Sequence, residues 1–320
     1  MLHDPMEKMP ETHEEEIDLR ELFSVLWKGR VSILLISLLG AVLSVFYAKS
    51  LPNIYTSEAI LAPKSESSGL GGLANQFGGL AGLAGISIGG SEGSKTQIAI
   101  EILKSRGFFA EFIYEDVLVA LMASKDWDST TNELVIDRDI YDPESLSWVR
   151  PVSFPSKAKP SIQEAYQVFS GNHFSITEDT ATGFIELQVN HYSPTVALEW
   201  LELMLQSIET SVREKETVEA EKSIAYLKAE SSTNSLISLN QVFAGLIEEQ
   251  TKKIVLANAS EEYVFQIIEP PVAAELKSGP KRALICVLGV LLAGMLSILY
   301  VLVKFYMLNK TELASTLPSV

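Results

Sequence analysis

The chain has 320 residues, 47% of them hydrophobic, and carries 41 acidic against 25 basic side chains for a formal net charge of −16. That balance argues against nucleic acid as a partner, since phosphate binding needs clustered Lys and Arg. Length and apolar content exclude general disorder. The one cysteine, Cys286, lies inside an apolar run, so disulfide frameworks, zinc clusters and redox pairs are excluded too.

In chain order, a tail at residues 1–30 leads into VSILLISLLGAVLSVFY at 31–47, an uncharged run that predicts a membrane span over 31–48. A second uncharged run, ALICVLGVLLAGMLSILYVLV, predicts another over 283–303. At 1.5 Å per residue each can cross a hydrocarbon core roughly 30 Å thick. A soluble helix would normally carry a polar face. A cleaved leader is disfavoured by the acidic approach (Glu14, Glu15, Glu16, Asp18) and by Phe46-Tyr47-Ala48, a poor cleavage site.

Orientation follows from basic residues near the span ends. Lys28 and Arg30 precede the first span and Lys49 alone follows it, which favours a cytoplasmic N-terminus. Lys277, Lys281 and Arg282 before the second span conflict with that, but a long intervening domain translocates largely regardless of charge. The expectation is both termini cytoplasmic (1–30 and 304–320) and residues 49–282 periplasmic. Small residues recur at four-residue spacing in both spans, Gly40, Ser44 and Ala48 against Gly289, Ala293 and Ser297. This spacing suits close helix packing in lipid.

Between the spans, residues 54–63 read as a strand. Residues 69–90, GLGGLANQFGGLAGLAGISIGG, are apolar yet Gly-rich and make neither a stable helix nor a good strand. Leu73, Phe77, Leu80 and Leu83 mark this segment as a candidate partner contact that needs cover. GGSEGSKT at 89–96 lacks the Gly directly before Lys that a phosphate-binding loop requires, and is rejected. Two short helices broken near Gly107 are predicted over 96–123, a strand at 133–137, a short helix at 161–169 and a strand pair at 173–177 and 184–190, completing a base over 49–193.

A helical pattern then runs over 194–260. Leu198, Leu201, Leu205, Ile208 and Val212 follow the 3,4 spacing of a heptad seam, and Leu239, Phe243 and Leu246 continue it, as a candidate oligomer seam. Ser231–Ser235 interrupts, so a hairpin turning near Asn234 is the simplest geometry, with one kinked helix as the alternative. A return strand at 263–268 and a proline strut (Pro270, Pro271, Pro280) lead back to the membrane over 261–282. The fold class expected is an α+β domain with a small mixed sheet at its base and a long helical hairpin, anchored by two transmembrane helices.

His3, His13, His173 and His191 stand without metal-ligand spacing, and no hydrolase, zincin, EF-hand or dinucleotide fingerprint is present. No catalytic, cofactor-binding or metal residue is therefore assigned, and no cofactor is expected.

EIDLRELFSVLWKGR at 16–30 and LIEEQTKKIVLANASEEYVFQIIEPPVAAELKSGPKRALI at 246–285 resemble the Wzz chain-length determinants, polysaccharide co-polymerases of bacterial inner membranes. The resemblance implies a periplasmic base, a helical projection and a ring-like, octamer-like homo-oligomer. It also implies control of the length of O-antigen or a related surface polysaccharide made by a membrane polymerase. Partners would be further copies of the chain, that polymerase and the bilayer, with the growing polysaccharide as a further candidate. Related capsule co-polymerases carry a kinase, and because residues 304–320 hold neither a P-loop nor a tyrosine cluster, kinase activity in cis is not expected. A periplasmic sensor or transducer and a polysaccharide export adaptor are the alternative readings.

Overall fold

The computed structural model describes residues 19–64, 91–233 and 236–315, which fall into two compact units, Met1–Leu51 with Pro280–Val320 and Pro52–Gly279. The first unit opens with α1 (Leu19–Lys28) and α2 (Arg30–Ser50). Only Gly29 separates them, and the Gly29 N–H still donates to Val25 O at 2.9 Å.

The second unit begins with β1 (Tyr55–Pro63), followed after residues 65–90 by α3 (Ser91–Leu103). The next helical stretch starts at Arg106, one residue before Gly107, because the Ser105 hydroxyl caps it by accepting the Phe108 N–H at 3.1 Å. It passes through a π-turn (Phe109–Ile113) into α4 (Tyr114–Ala123). Two small hairpins follow, β2 (Ser124–Asp128) with β3 (Glu133–Ile136) and β4 (Tyr141–Asp142) with β5 (Ser147–Trp148). Ser161 caps α5 (Ile162–Val168), and a second π-turn (Phe169–His173) leads into β6 (Phe174–Glu178) and β7 (Ile185–His191). The long α6 (Pro194–Thr233) and α7 (Ile237–Ala259) precede β8 (Phe265–Glu269). The chain re-enters the first unit as α8 (Arg282–Ser315).

The main sheet has the order β6-β7-β1-β8 and is antiparallel throughout, which corrects the mixed sheet expected from the sequence. The physical reason lies in the paths of the strands. β6 and β7 are joined by a tight turn. The bridge between Ile54 and Gly279 ties together the two ends of the unit, so β1 leaves that end while β8 returns to it.

The inner face of this sheet alternates Ala59 and Leu61 with Ile185, Leu187 and Val189, all fully buried. Against it lies one stripe of α6, Ala197, Trp200, Leu201, Met204, Ile208 and Val212, at the period of a helix packing one face. Each of the Val, Leu, Ile and Met side chains among these is worth about 1.5–3 kcal/mol in buried apolar surface. Aromatic rings close one flank of the core, with Phe169 packed on Phe109, Phe174 and Trp200 at centroid distances of 5.1, 5.7 and 6.0 Å.

α6 and α7 run antiparallel as a hairpin. Ser231 Oγ donates to Asn240 Oδ1 at 3.0 Å near the turn, and Arg213 Nη2 donates to Ser260 O and Glu261 O, both at 2.9 Å, at the other end of α7. The hairpin expectation therefore holds over the kinked helix, while Asn234 itself lies outside the described residues. With 40 residues α6 is about 60 Å long. Its first half packs on the sheet and its second half pairs with α7.

Candidate functional site

The foot of the hairpin is a polar latch built from residues far apart in sequence. The Glu209 carboxylate, on α6, accepts the backbone N–H groups of Tyr263, Val264 and Phe265 at 2.7–3.1 Å. Three consecutive donors on one anion hold the chain where it leaves α7. This is why the strand expected to begin at Tyr263 begins at Phe265: the Tyr263 and Val264 N–H groups face α6 rather than β1.

One and two turns further along α6, Arg213 holds the carbonyls of Ser260 and Glu261, and Glu216 accepts from the Tyr263 hydroxyl. Burial first, and the Glu216 carboxylate next, push the Tyr263 hydroxyl above the ordinary phenol range, so it remains a donor. Lys95 Nζ completes the group, 3.2 Å from Glu216 and 4.2 Å from the centre of the Tyr263 ring. Here the lysine of the GGSEGSKT segment is engaged by the latch. Lys64 donates to Glu262 O at the same foot. The lysines on either side of residues 65–90 are thus both fastened beside the hairpin. The candidate partner contacts Leu73, Phe77, Leu80 and Leu83 lie outside the described residues.

A second cluster joins β7, the π-turn and α6. His191 is 1% exposed, with ring centroids 4.7 Å from Trp200 and 5.8 Å from His173. Its Nδ1 accepts the Ser193 N–H at 3.1 Å, which places its proton on Nε2, facing Ala120 O at 3.3 Å. His173 Nδ1 donates to Asn190 O at 2.7 Å. Burial holds His191 neutral, with a pKa lowered to about 4, and lowers that of His173 as well. The partners are backbone groups, so the pair reads as a packed core element. An apolar recess of about 210 Å³ opens nearby between Leu103, Phe109, Phe169 and Ile176. On the irregular segment before α5, Arg150 forks onto Glu164 and holds Ala158 O and Lys157 O at 2.8 and 2.9 Å, fixing that stretch without secondary structure.

In the first unit the small residues of α2 and α8 meet. A Cβ added to Gly40 would collide with the Cβ of Ala293, and one added to Gly289 with the Cβ of Ser44, both well inside 3.0 Å. Ser37 Oγ and Ser297 Oγ stand 3.4 Å apart, and Ala48 and Ser297 are buried. Arg282 Nη2 donates to Leu51 O at 2.8 Å, closing the pair at one end. Leu35, Leu39, Leu291 and Leu292 face outward, each about 60% exposed, as a helix pair solvated by lipid requires. The 21-residue α2 and the 26-residue apolar part of α8, Arg282–Met307, are long enough to cross a membrane.

The heptad residues divide. Leu201, Ile208 and Val212 are buried beneath the protomer's own sheet, where they leave no surface for another subunit. Their periodicity reflects sheet packing. Leu198 and Leu205 are half-buried, as are Leu239 and Phe243 on α7, and Leu246 is 40% exposed. Sequence reasoning missed Glu209, Arg213 and Glu216. Their signal is three-dimensional, the turn spacing along α6 opposite a strand start.

These features define a class, an α+β protein with a long helical hairpin, two helices long and apolar enough to cross a membrane and, among the described residues, no cluster of metal-ligating side chains. Residues 15–115 match the family model of Wzz, chain length determinant protein, and residues 234–306 match GNVR, a G-rich domain described on tyrosine kinases. The chain thus carries one stretch similar to the Wzz chain-length determinants and another similar to the GNVR domain. Among solved structures it is similar to a full-length bacterial polysaccharide co-polymerase, at 11% identity and a TM-score of 0.39, over 91% of this chain and 99% of that one. No curated protein matches its sequence.

Proposed function

We propose that this protein regulates the chain length of a surface polysaccharide, and specifically of lipopolysaccharide O-antigen or a closely related polymer made by a membrane polymerase. The match of residues 15–115 to the chain-length-determinant family carries the reading. It spans α1, α2 and β1, the segment that takes the chain from the first span into the sheet. The protein acts as a co-polymerase and scaffold, without chemistry of its own.

In this reading both termini are cytoplasmic, the Pro52–Gly279 unit is periplasmic, and the two helices cross the inner membrane. Basic residues before the first span support that orientation. Copies of the chain assemble into a ring-like homo-oligomer, octamer-like by its family. The hairpin offers apolar residues for this at Val242, Leu246 and Val255, 56%, 40% and 59% exposed. The polymerase is met through the spans and residues 69–90.

Deletion and complementation in the native host tests the function, with surface polysaccharide resolved by length on a gel. Loss of a preferred length, restored by the complementing gene, is the expected result. An unchanged ladder would overturn it. Light scattering in mild detergent tests assembly, and a monomer would remove the ring.

A further inference from the structure

We propose that the end of the span pair formed by α1, the start of α2 and the end of α8 binds the headgroups of anionic phospholipids. This rests on the reading of α2 and α8 as membrane spans.

Charge is the first observation. Residues 23–51 and 280–307 carry six cations, Lys28, Arg30, Lys49, Lys281, Arg282 and Lys304, and no carboxylate, in a chain whose acidic side chains otherwise outnumber its basic ones. Three of the six belong to one rim. Gly29 lies directly against Val301, which brings Lys28 and Arg30 level with Lys304, three residues beyond that contact. Lys28, Arg30 and Lys304 are all exposed.

The aromatic residues of α1 are the second. Phe23 and Trp27 sit one helical turn apart with ring centroids 6.1 Å apart, and are 67% and 60% exposed. The opposite side of α1 is occupied, with Val25 buried. The guanidinium of Arg30 lies 5.1 Å from the centre of the Trp27 ring. Arg30 is also the first residue of the apolar helix, so this aromatic pair stands where hydrocarbon gives way to headgroups. Trp at that depth anchors a helix, and a weakly hydrated guanidinium beside it offers a fork to a phosphate. Three cations on one rim favour a net anionic headgroup over a zwitterionic one. At the other end Arg282 is turned inward to Leu51 O.

The test uses the full-length protein in nanodiscs of phosphatidylcholine containing one part in ten phosphatidylglycerol. Mild delipidation follows, with mass spectrometry of the retained lipid. Nanodiscs present the same lipids to both ends, so altered orientation cannot mimic a lost site. Far-UV circular dichroism confirms that each variant is folded. Wild type is expected to retain phosphatidylglycerol over phosphatidylcholine at a ratio roughly tenfold above the bulk ratio. Lys28→Gln with Arg30→Gln and Lys304→Gln should bring retention to the bulk ratio. Lys49→Gln with Lys281→Gln should leave the enrichment in place, and Trp27→Leu should reduce it. No enrichment in wild type, or enrichment that survives the first set of changes, overturns the proposal. A chain that does not enter nanodiscs at all would overturn the spanning reading with it.

Discussion

Glu209 is the residue whose removal should be felt furthest from its own position. Glu209→Ala leaves the amides of Tyr263, Val264 and Phe265 without their shared acceptor, two of them on fully buried residues. A loss of about 3 kcal/mol is expected from that charge-assisted group, and about half as much for Glu209→Gln, which keeps one acceptor oxygen. Hydrogen exchange checks it, because protection at residues 263–265 should fall in both variants. Unchanged protection would mean that the latch is not what holds this strand. His191 supplies a pH dependence. Its folded-state pKa of about 4 lies below the ordinary 6.5, so the unfolded chain takes up a proton first as pH falls. Stability is expected to be independent of this group above about pH 6.5. It then declines between 6.5 and 4 by about 3 kcal/mol in all, with His173 adding in the same direction. Thermal unfolding followed by near-UV circular dichroism, which reports the neighbouring Trp200, should show that slope in wild type and a reduced one in His191→Gln.

At the scale of elements, the glycines of the span pair act by letting backbones approach. Gly40→Leu together with Gly289→Leu should force α2 and α8 apart, since even a Cβ has no room at either position. In a background with Cys286 replaced, Ser37→Cys and Ser297→Cys should form a disulfide readily, their hydroxyls being 3.4 Å apart. The added leucines should abolish that cross-link, and an undiminished cross-link would show that packing does not depend on these glycines. The small-residue spacing was legible in the sequence because helical periodicity is a local property. So were β1, the β6–β7 pair, the capped α5 and the α6–α7 hairpin, each carried by alternation, a cap or a run of poor helix formers. The two π-turns were not, because they follow from how Phe109 and Phe169 pack on each other from distant parts of the sequence, and the β4–β5 pair, two residues a strand around the Tyr141–Trp148 contact, is too short to show alternation. The heptad of α6 shows the limit clearly. A periodic stripe reports that a face is covered, but Leu201, Ile208 and Val212 could not reveal that the cover is β1 and β7 of the same chain.

For the whole molecule, the division into two compact units carries a consequence for how the protein can be taken apart. The Pro52–Gly279 unit contains the sheet, the hairpin, the latch and a continuous buried core, and the Ile54–Gly279 bridge joins its two ends. Among the described residues, the buried members of that core run from Ala59 to Phe265. Residues 52–279 expressed alone are therefore expected to be soluble and to melt cooperatively. They should also retain the near-UV spectrum around Trp200 and the pH slope set by His191. The same fragment, sent to the periplasm of a deletion strain, should not restore a preferred polysaccharide length, because the segments that, on the proposed function, would place it in the membrane beside a polymerase are absent. A fragment that folds but fails to complement would locate regulation in the coupling of the two units. One that folds and complements fully would place length control in the projecting domain alone, and remove the membrane helices from the mechanism.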